Sequence, residues 1–209
     1  DFTPVAAFCK GSIVLTVNGK SPFHNIAELV DFGRKNPGKL TVGYSSSASR
    51  LAGELFQQLT RVQMLEVPYK DFAQSLVGQI AGDVDVLFPP PDLASPQIKS
   101  GAVRPLAVTG TKRMSELLPD VPTLQEAGVP SYEFTFWYGA WVKAGTPAPV
   151  IQKLRDSLLK ALDEPQSRKF MAANACEPLH MTQEEFIRFQ NLELERWSKV
   201  TKAAGIKPQ

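Results

Sequence analysis

The stretch LTVGYSSSASRLAGELFQQLT, residues 40–60, joins a short strand-like run directly to a helical one. Leu40–Tyr44 combines β-branched and apolar residues, which favours a buried strand. The residues Ser45–Ser49 are small and polar, which is typical of a connecting loop. Beyond them, leucines recur every four residues along one helical face, at Leu51, Leu55 and Leu59. A strand that leads at once into a helix is the repeating unit of an α/β fold.

Strand-like and helical stretches alternate on both sides of this unit. Runs typical of strands lie at Ser12–Val17, Met64–Val67, Val84–Phe88 and Pro105–Thr109. Helical patterns lie between them, and Ser21 is placed to cap the first of these helices. The alternation predicts βαβ units and a mostly parallel sheet over about residues 10–131.

The last third of the chain follows another pattern. Aromatic residues crowd the stretch Tyr132–Tyr138, and Gly139–Lys143 is also strand-like. Helical patterns follow, the first after Thr146-Pro147 and the last at a capping box formed by Thr182 and Glu185. These helices are too few to form a second core alone, so we expect another part of the protein to cover them.

Composition and charge exclude several classes of protein. The chain has 209 residues, of which 43% are hydrophobic and 21% are charged, as is ordinary for a globular protein. A net charge of +2 argues against a dedicated nucleic-acid-binding protein, because such proteins concentrate basic residues on one face. No apolar run approaches the roughly 18 residues that a membrane-spanning helix needs.

The residues that commonly hold metals or cofactors are few. The two cysteines, Cys9 and Cys176, lie far apart, and His24 and His180 are the two histidines. Neither zinc-ligand spacing nor a dinucleotide or phosphate-binding glycine motif occurs, so we expect no metal and no cofactor. Two interpretations of the cysteines stay open: two buried thiols, which is the simpler one, and one long-range disulfide.

The serine-rich loop is the strongest candidate for a site. It leads from a strand into a helix, and the first N–H groups of a helix favour carboxylates and phosphates. In open α/β sheets, ligands also collect beyond the carboxyl ends of the strands. The plainer interpretation is a polar loop with a serine cap. A serine hydrolase needs G-x-S-x-G, and the stretch Gly43–Ser47 lacks the second glycine.

A set of short motifs occurs in register along nearly the whole chain. It includes Asp1–Ala6, Asn36–Leu40, Leu51–Phe56, Val67–Lys70, Val84–Phe88, Pro119–Thr123 and Ala144–Pro147. Together these motifs resemble the Bug, or TctC-like, extracytoplasmic solute receptors of tripartite tricarboxylate transporters.

The resemblance implies a type II periplasmic binding protein fold, with two α/β lobes, a hinge and a ligand cleft between the lobes. Members of the family bind small carboxylates in the periplasm and deliver them to integral membrane transporter subunits. They are not enzymes and use no cofactor. The resemblance therefore predicts a first-lobe remnant at residues 1–9, a second lobe at 10–131, and the closing strand and helices of the first lobe at 132–209.

The resemblance also implies which residues meet the ligand. The segment Ser45, Ser46, Ser47, Ala48 and Ser49 matches the ligand loop of the second lobe, where the family usually has glycines and a histidine. Here the glycines are absent and Arg50 takes the place of the histidine. Tyr69 and Asp85 match motif positions near the cleft, and Trp137 or Phe134 is expected in the cleft wall.

Other expectations concern the whole chain. Asp1–Val5 matches an interior part of family members, so the opening segments of the first lobe are expected to be missing, and the uncovered surface predicts self-association. Three alternatives to a transport receptor stay open: a ligand-sensing or scaffold protein of the same fold, a protein that has lost its ligand site, and a serine hydrolase.

Overall fold

The protein, in a computed structural model that describes residues 2–203 and 205, divides into two compact units. Unit 1 comprises Asp1–Gly11 and Phe136–Gln209, and unit 2 comprises Ser12–Thr135. Unit 2 is thus an insertion in unit 1, and the chain passes from one to the other twice. The outer ends of the predicted segments, Asp1 and Gln209, lie outside the described residues.

The elements alternate as an α/β protein requires, which confirms the predicted fold class. In chain order they are β1 (Phe2–Gly11), β2 (Val14–Asn18), α1 (Ile26–Lys35), β3 (Leu40–Tyr44), α2 (Ser47–Thr60), β4 (Met64–Pro68), α3 (Phe72–Ala81), β5 (Val86–Leu87), α4 (Pro91–Lys99), β6 (Val103–Val108), β7 (Phe136–Lys143), α5 (Ala148–Leu162), α6 (Pro165–Ala173), β8 (Cys176–Pro178) and α7 (Gln183–Ala203).

Unit 2 is built on a five-stranded sheet in the order β4-β3-β5-β2-β6. β3 runs parallel to β4 and β5, whereas β2 runs antiparallel to β5 and β6. The prediction of a mostly parallel sheet is therefore wrong at β2, because alternating elements do not fix the direction in which the first strand enters. The parallel trio places the N-termini of α2, α3 and α4 along one edge of the sheet.

Helix α1 begins four residues later than the sequence pattern suggests. Its cap is Asn25, whose side chain accepts a hydrogen bond from the Glu28 N–H at 2.9 Å. The Glu28 carboxylate in turn accepts from the His24 N–H at 2.7 Å. Ser21, the predicted cap, instead donates its N–H to the Asn18 carbonyl in a turn after β2. The reciprocal bonds of Asn25 and Glu28 set the start of the helix.

The core of unit 2 contains two polar side chains whose hydrogen bonds hold α3 and α2 in place. Gln79 on α3 accepts from the Thr16 hydroxyl at 2.9 Å and donates to the Thr16 and Asp85 carbonyls. Tyr132 is completely buried, and its hydroxyl donates to the Ala52 carbonyl on α2 at 2.9 Å. Because buried polar groups are costly when unpaired, these bonds fix α3 against β2 and α2 against the segment that contains Tyr132.

Unit 1 holds a three-stranded antiparallel sheet in the order β7-β1-β8. Helix α5 is fastened to it by Arg155, which donates to the carbonyls of Val5 and Met181. None of the residues of α5 is buried, and Val150 and Leu154 on its predicted apolar stripe are 47% and 40% exposed. Among the described residues, no helix is both long and apolar enough to cross a membrane.

Candidate ligand-binding site

The serine loop lies at the carboxyl end of β3, as predicted. β3 ends at Tyr44, and α2 begins at Ser47 with Ser46 as its cap. The neighbouring strand β4 ends level with it, since Tyr44 pairs with Pro68. This edge of the sheet therefore carries the first turn of α2, where the partial positive charge of the helix is concentrated.

Two of the serines are occupied in shaping the loop. The Ser46 hydroxyl accepts a hydrogen bond from the Ser49 N–H at 3.1 Å, and the Ser49 hydroxyl accepts from the N–H groups of Ser45 and Ser46 at 3.2 Å. Ser49 also donates its hydroxyl proton to the Ser46 carbonyl at 3.0 Å. These hydroxyls hold the backbone of the turn, so they position the loop.

Ser45 differs from its neighbours. Its Oγ is buried and, among the residues that the structure describes, has no hydrogen-bond partner. The bonds described for the loop engage the N–H groups of Ser45, Ser46 and Ser49, and none of them engages Ser47 or Ala48. At the first two helical positions an N–H group has no intrahelical carbonyl. Three donors thus remain at this point for an incoming acceptor.

The start of α2 sits firmly on the sheet. A side chain at Gly53 would contact the Val42 side chain at 3.3 Å, so the glycine lets the helix approach β3 closely. One residue earlier, Ala52 is completely buried and accepts the hydrogen bond of Tyr132. The serine loop is consequently presented by a helix whose position is set by core packing.

Tyr69 adjoins the same edge through its backbone, because its N–H donates to the Tyr44 carbonyl at 2.8 Å. Its ring, however, packs with Leu76, Val84, Leu87 and Val103 in the core of unit 2. A Cβ added to Gly78 would lie 2.5 Å from the Tyr69 hydroxyl oxygen, so the ring lies against α3. Burial, together with the nearby Asp83, raises the pKa of Tyr69.

Asp85 lies at the opposite end of the strands from the serine loop. Its carboxylate accepts from the N–H of Thr41 at 2.8 Å and from the Thr41 hydroxyl at 2.9 Å. The Thr41 hydroxyl accepts in return from the Asp85 N–H at 2.9 Å. Thr41 is near the beginning of β3 and the loop follows its end. Asp85 therefore joins β3 to β5, and the structure does not bring it to the loop.

Trp137 belongs to unit 1, on β7. Its ring packs edge-on against Phe186 at 5.9 Å and Phe189 at 5.3 Å between ring centroids, and it lies 5.8 Å from Trp141. Ala7 and Leu179 complete this aromatic cluster. The contacts described for Trp137 are thus those of a packed side chain in unit 1.

A charged cluster beside the loop was not anticipated from the sequence. Arg50 donates to both carboxylate oxygens of Glu66, from Nε at 3.0 Å and from Nη2 at 2.7 Å. Its guanidinium also lies 5.1 Å from the centre of the Tyr44 ring. Arg50 is therefore bound to a carboxylate of its own chain. Glu66 on β4 pairs with Val42 on β3, and the sequence does not reveal this register.

Glu54 completes this cluster, one helical turn after Arg50. Burial raises its pKa, and the charge of Glu66 and a hydrogen bond to that carboxylate raise it further. The Arg50 charge acts in the opposite direction. The arginine therefore serves two carboxylates of its own chain, and its charge is largely balanced before any ligand arrives.

The described residues offer little support for serine hydrolase activity or for metal binding. Catalysis by Ser45 needs a base bonded to its hydroxyl, and no such bond is found among the described residues. His24 precedes α1 and His180 lies in unit 1 before α7. Within residues 2–203 and 205, no group of three or more histidine, cysteine or acidic side chains could hold a metal ion.

Comparison with known proteins places the chain in a family. The family profile described as "Tripartite tricarboxylate transporter family receptor", TctC, matches residues 1–206. The chain belongs to this receptor family. The resemblance to Bug and TctC proteins is thereby confirmed.

One curated relative also matches almost the whole chain. A UPF0065 protein of the tcbD-tcbE intergenic region of Pseudomonas sp. (strain P51) is 30% identical over 203 residues. That match covers 96% of this chain and 60% of the relative. The chain therefore spans less than two thirds of the length of this curated relative.

Two solved structures of R. palustris proteins match nearly the whole length of the chain. Rpa4515, solved with adipate, has a TM-score of 0.90 and 33% identity, and covers 100% of this chain and 70% of its own. MatC, solved with bound malate, has a TM-score of 0.86 and 25% identity, and covers 95% of this chain and 69% of its own. The periplasmic binding protein type of fold is thus confirmed.

Proposed function

We propose that this chain is part of an extracytoplasmic solute receptor that binds a small carboxylate at the serine loop. The observation that carries the proposal is the buried Ser45 hydroxyl, which has no partner among the described residues. A buried hydroxyl without a partner costs roughly 1–3 kcal/mol, and a ligand oxygen would recover that cost.

The chemistry of the loop suits a carboxylate. The Ser45 hydroxyl would donate to one oxygen, and the N–H groups of Ser47 and Ala48 would donate to the other. The start of α2 adds its partial positive charge, which favours an anion. Ser46 and Ser49 would hold this geometry through their bonds within the loop.

Arg50 has a secondary part in this proposal. Its bidentate bond to Glu66 leaves little charge for a ligand, so recognition would depend on neutral donors and the helix terminus. The ligands of the two R. palustris structures, adipate and malate, are both small dicarboxylates. They support the class of ligand that we propose here.

Transport is the role that the family name suggests. We propose that the receptor works in the periplasm, has no catalytic activity, and delivers its ligand to integral membrane transporter subunits. The family description names the transporter, which supports this partnership.

Calorimetric titration of the purified chain with adipate and malate tests the proposal. We expect binding of at least one acid and about a tenfold loss of affinity in Ser45→Ala, because a hydrogen bond to a charged oxygen is removed. Ser157→Ala is the matched control, since this exposed hydroxyl on α5 bonds only to the Lys153 carbonyl at 2.9 Å among its described contacts. Equal affinity in Ser45→Ala and Ser157→Ala, or no binding of either acid, would contradict the proposal.

A further inference from the structure

The two cysteines, far apart in sequence, come together in unit 1. Cys9 lies on β1 and Cys176 begins β8, and both side chains are buried. They pack in one cluster with Met171, and Phe136 covers it. Both are thiols in this structure, and each has the other among its neighbours.

The strand register places both sulfurs on one face of the sheet. Gly11 pairs with Cys176 and Cys9 pairs with Pro178, so the cysteines are diagonal neighbours two residues apart along antiparallel strands. Residues two apart on a strand project to the same face. Gly11 leaves room for the Cys176 side chain beside β1, since a Cβ at Gly11 would lie 3.1 Å from the Cys176 sulfur.

The thiols also interact directly. A hydrogen bond from Cys176 lowers the pKa of the Cys9 thiol, against the opposing effect of burial. Because the thiolate is the reactive form, this contact favours Cys9 as the attacking sulfur once β8 opens. The Cys176 sulfur also lies 3.7 Å from the Asn174 carbonyl oxygen, which is an alternative acceptor for its single proton.

Strand β8 can supply the small movement that a bond requires. Diagonal neighbours have Cα atoms about 7–8 Å apart, and a disulfide needs about 4.4–6.8 Å. β8 has three residues and lies at the edge of its sheet, and its bonding to β1 extends one residue further, from the Leu179 N–H to the Phe8 carbonyl at 2.8 Å. A short edge strand opens at lower cost than a central one, so it can admit an oxidant and then close on β1.

We propose that Cys9 and Cys176 are a disulfide site that links β1 to β8 when the protein meets an oxidising thiol-disulfide couple. The Cys9 thiolate attacks one sulfur of the oxidant disulfide, and the other sulfur of the oxidant leaves as a thiolate. The Cys176 thiolate then attacks the Cys9 sulfur and displaces the second oxidant thiolate. In total the two cysteines lose two protons and two electrons, and the oxidant disulfide is reduced to two thiols.

This bond would join the two separate parts of unit 1. Cys9 belongs to the part before unit 2, and Cys176 to the part that follows it. The closed loop would contain all of Ser12–Thr135. A cross-link over so long a loop restricts the unfolded chain strongly, which stabilises the folded one.

Equilibration of the folded chain in defined mixtures of oxidised and reduced glutathione tests the proposal. After acid quenching, the chain is unfolded and alkylated, and its intact mass is measured. We expect a product two mass units lighter with no alkylated cysteine, and a peptide map that joins Cys9 to Cys176. The same equilibration in guanidinium chloride should need roughly a hundredfold more oxidising mixture, since folding favours the bond.

Two serine variants make the result specific. Cys9→Ser and Cys176→Ser should each retain one alkylatable thiol or one glutathione adduct, and neither should show the rise in Tm of several degrees expected for the oxidised wild type. Two alkylated cysteines in the folded wild type at every mixture, or the same midpoint with and without guanidinium chloride, would overturn the proposal. This result is independent of carboxylate binding, so the proposed function stands or falls separately.

Discussion

At the residue scale, the charged cluster beside the serine loop is balanced within the chain. Arg50 is shared between Glu66, which it binds at 2.7 Å, and the face of Tyr44. Glu54 is the unfavourable member, because burial and the neighbouring Glu66 both oppose its ionisation. The stability of the folded chain should therefore depend on pH through this cluster.

The raised pKa of Glu54 gives a signed prediction. In the unfolded chain Glu54 titrates near its ordinary value of 4.5, while the folded chain retains the proton to higher pH. Stability should therefore fall as pH rises from the ordinary pKa through the raised one, and the loss persists above it. Glu54→Gln should remove this pH dependence. It should also raise the free energy of unfolding by about 0.5 kcal/mol at pH 7, because the repulsion between two like charges is relieved.

Thermal unfolding from pH 4 to pH 8 measures this effect. Glu184→Gln is the control for charge removal, since this carboxylate on α7 is 88% exposed. An unchanged pH slope in Glu54→Gln would show that the carboxylate is ionised freely in the folded chain.

The individual serines also mark the limit of prediction at this scale. The sequence predicts a polar loop and a helix N-terminus at residues 45–49, and the structure has both. The sequence could not assign separate roles to Ser45 and Ser49. Those roles depend on the direction in which each hydroxyl points, which a rotation about one bond decides. Arg50 and Glu66 are 16 residues apart, and only the packing of α2 beside β4 reveals their bond.

At the element scale, α2 depends on its capping box. The Ser46 hydroxyl accepts a hydrogen bond from the Ser49 N–H, and the Ser49 hydroxyl accepts one from the Ser46 N–H. Ser46→Ala should lower the free energy of unfolding by about 1 kcal/mol, and the Tm by about 2–4 °C. The measurement is denaturant and thermal unfolding without ligand.

The neighbouring serine supplies a matched control for the cap. Ser47 is exposed at the first helical position and takes no part in the capping bonds described for the loop. Ser47→Ala should change stability by less than about 0.5 kcal/mol. Similar losses in both variants would mean that the box contributes nothing beyond general helix propensity.

Elements with strong local signals could be predicted well. β3 has the predicted bounds Leu40–Tyr44, and the capping box of Thr182 and Glu185 indeed opens α7. β8 was missed because three residues carry no periodicity. The direction of β2 was missed because it depends on how the chain enters the sheet, a global property that no local pattern encodes.

At the scale of the whole molecule, the helices of unit 1 leave apolar side chains in solvent. Phe170, Leu192 and Leu194 are 55%, 66% and 61% exposed, in addition to Val150 and Leu154 on α5. Exposed apolar surface of this kind favours association. We therefore expect this chain, as it is, to form dimers or larger species at micromolar concentration.

Sedimentation velocity over a range of concentrations measures this association. The paired change Val150→Glu and Leu154→Glu should shift the chain toward the monomer. Leu65→Glu is the control, because Leu65 is 58% exposed but lies in unit 2. A monomer at all concentrations, or equal effects of both changes, would contradict the expectation.

The place of β1 at the centre of its sheet has a consequence for biosynthesis. β1 is translated before both of its partners, and its nearest pairing along the chain, from Gly11 to Phe136, spans 125 residues. All of unit 2 emerges from the ribosome in that interval and contains its own core. Contacts this distant form slowly, so the nascent chain must carry an unpaired strand while the inserted unit folds. A chaperone that shields extended apolar segments would find its target there, in β1.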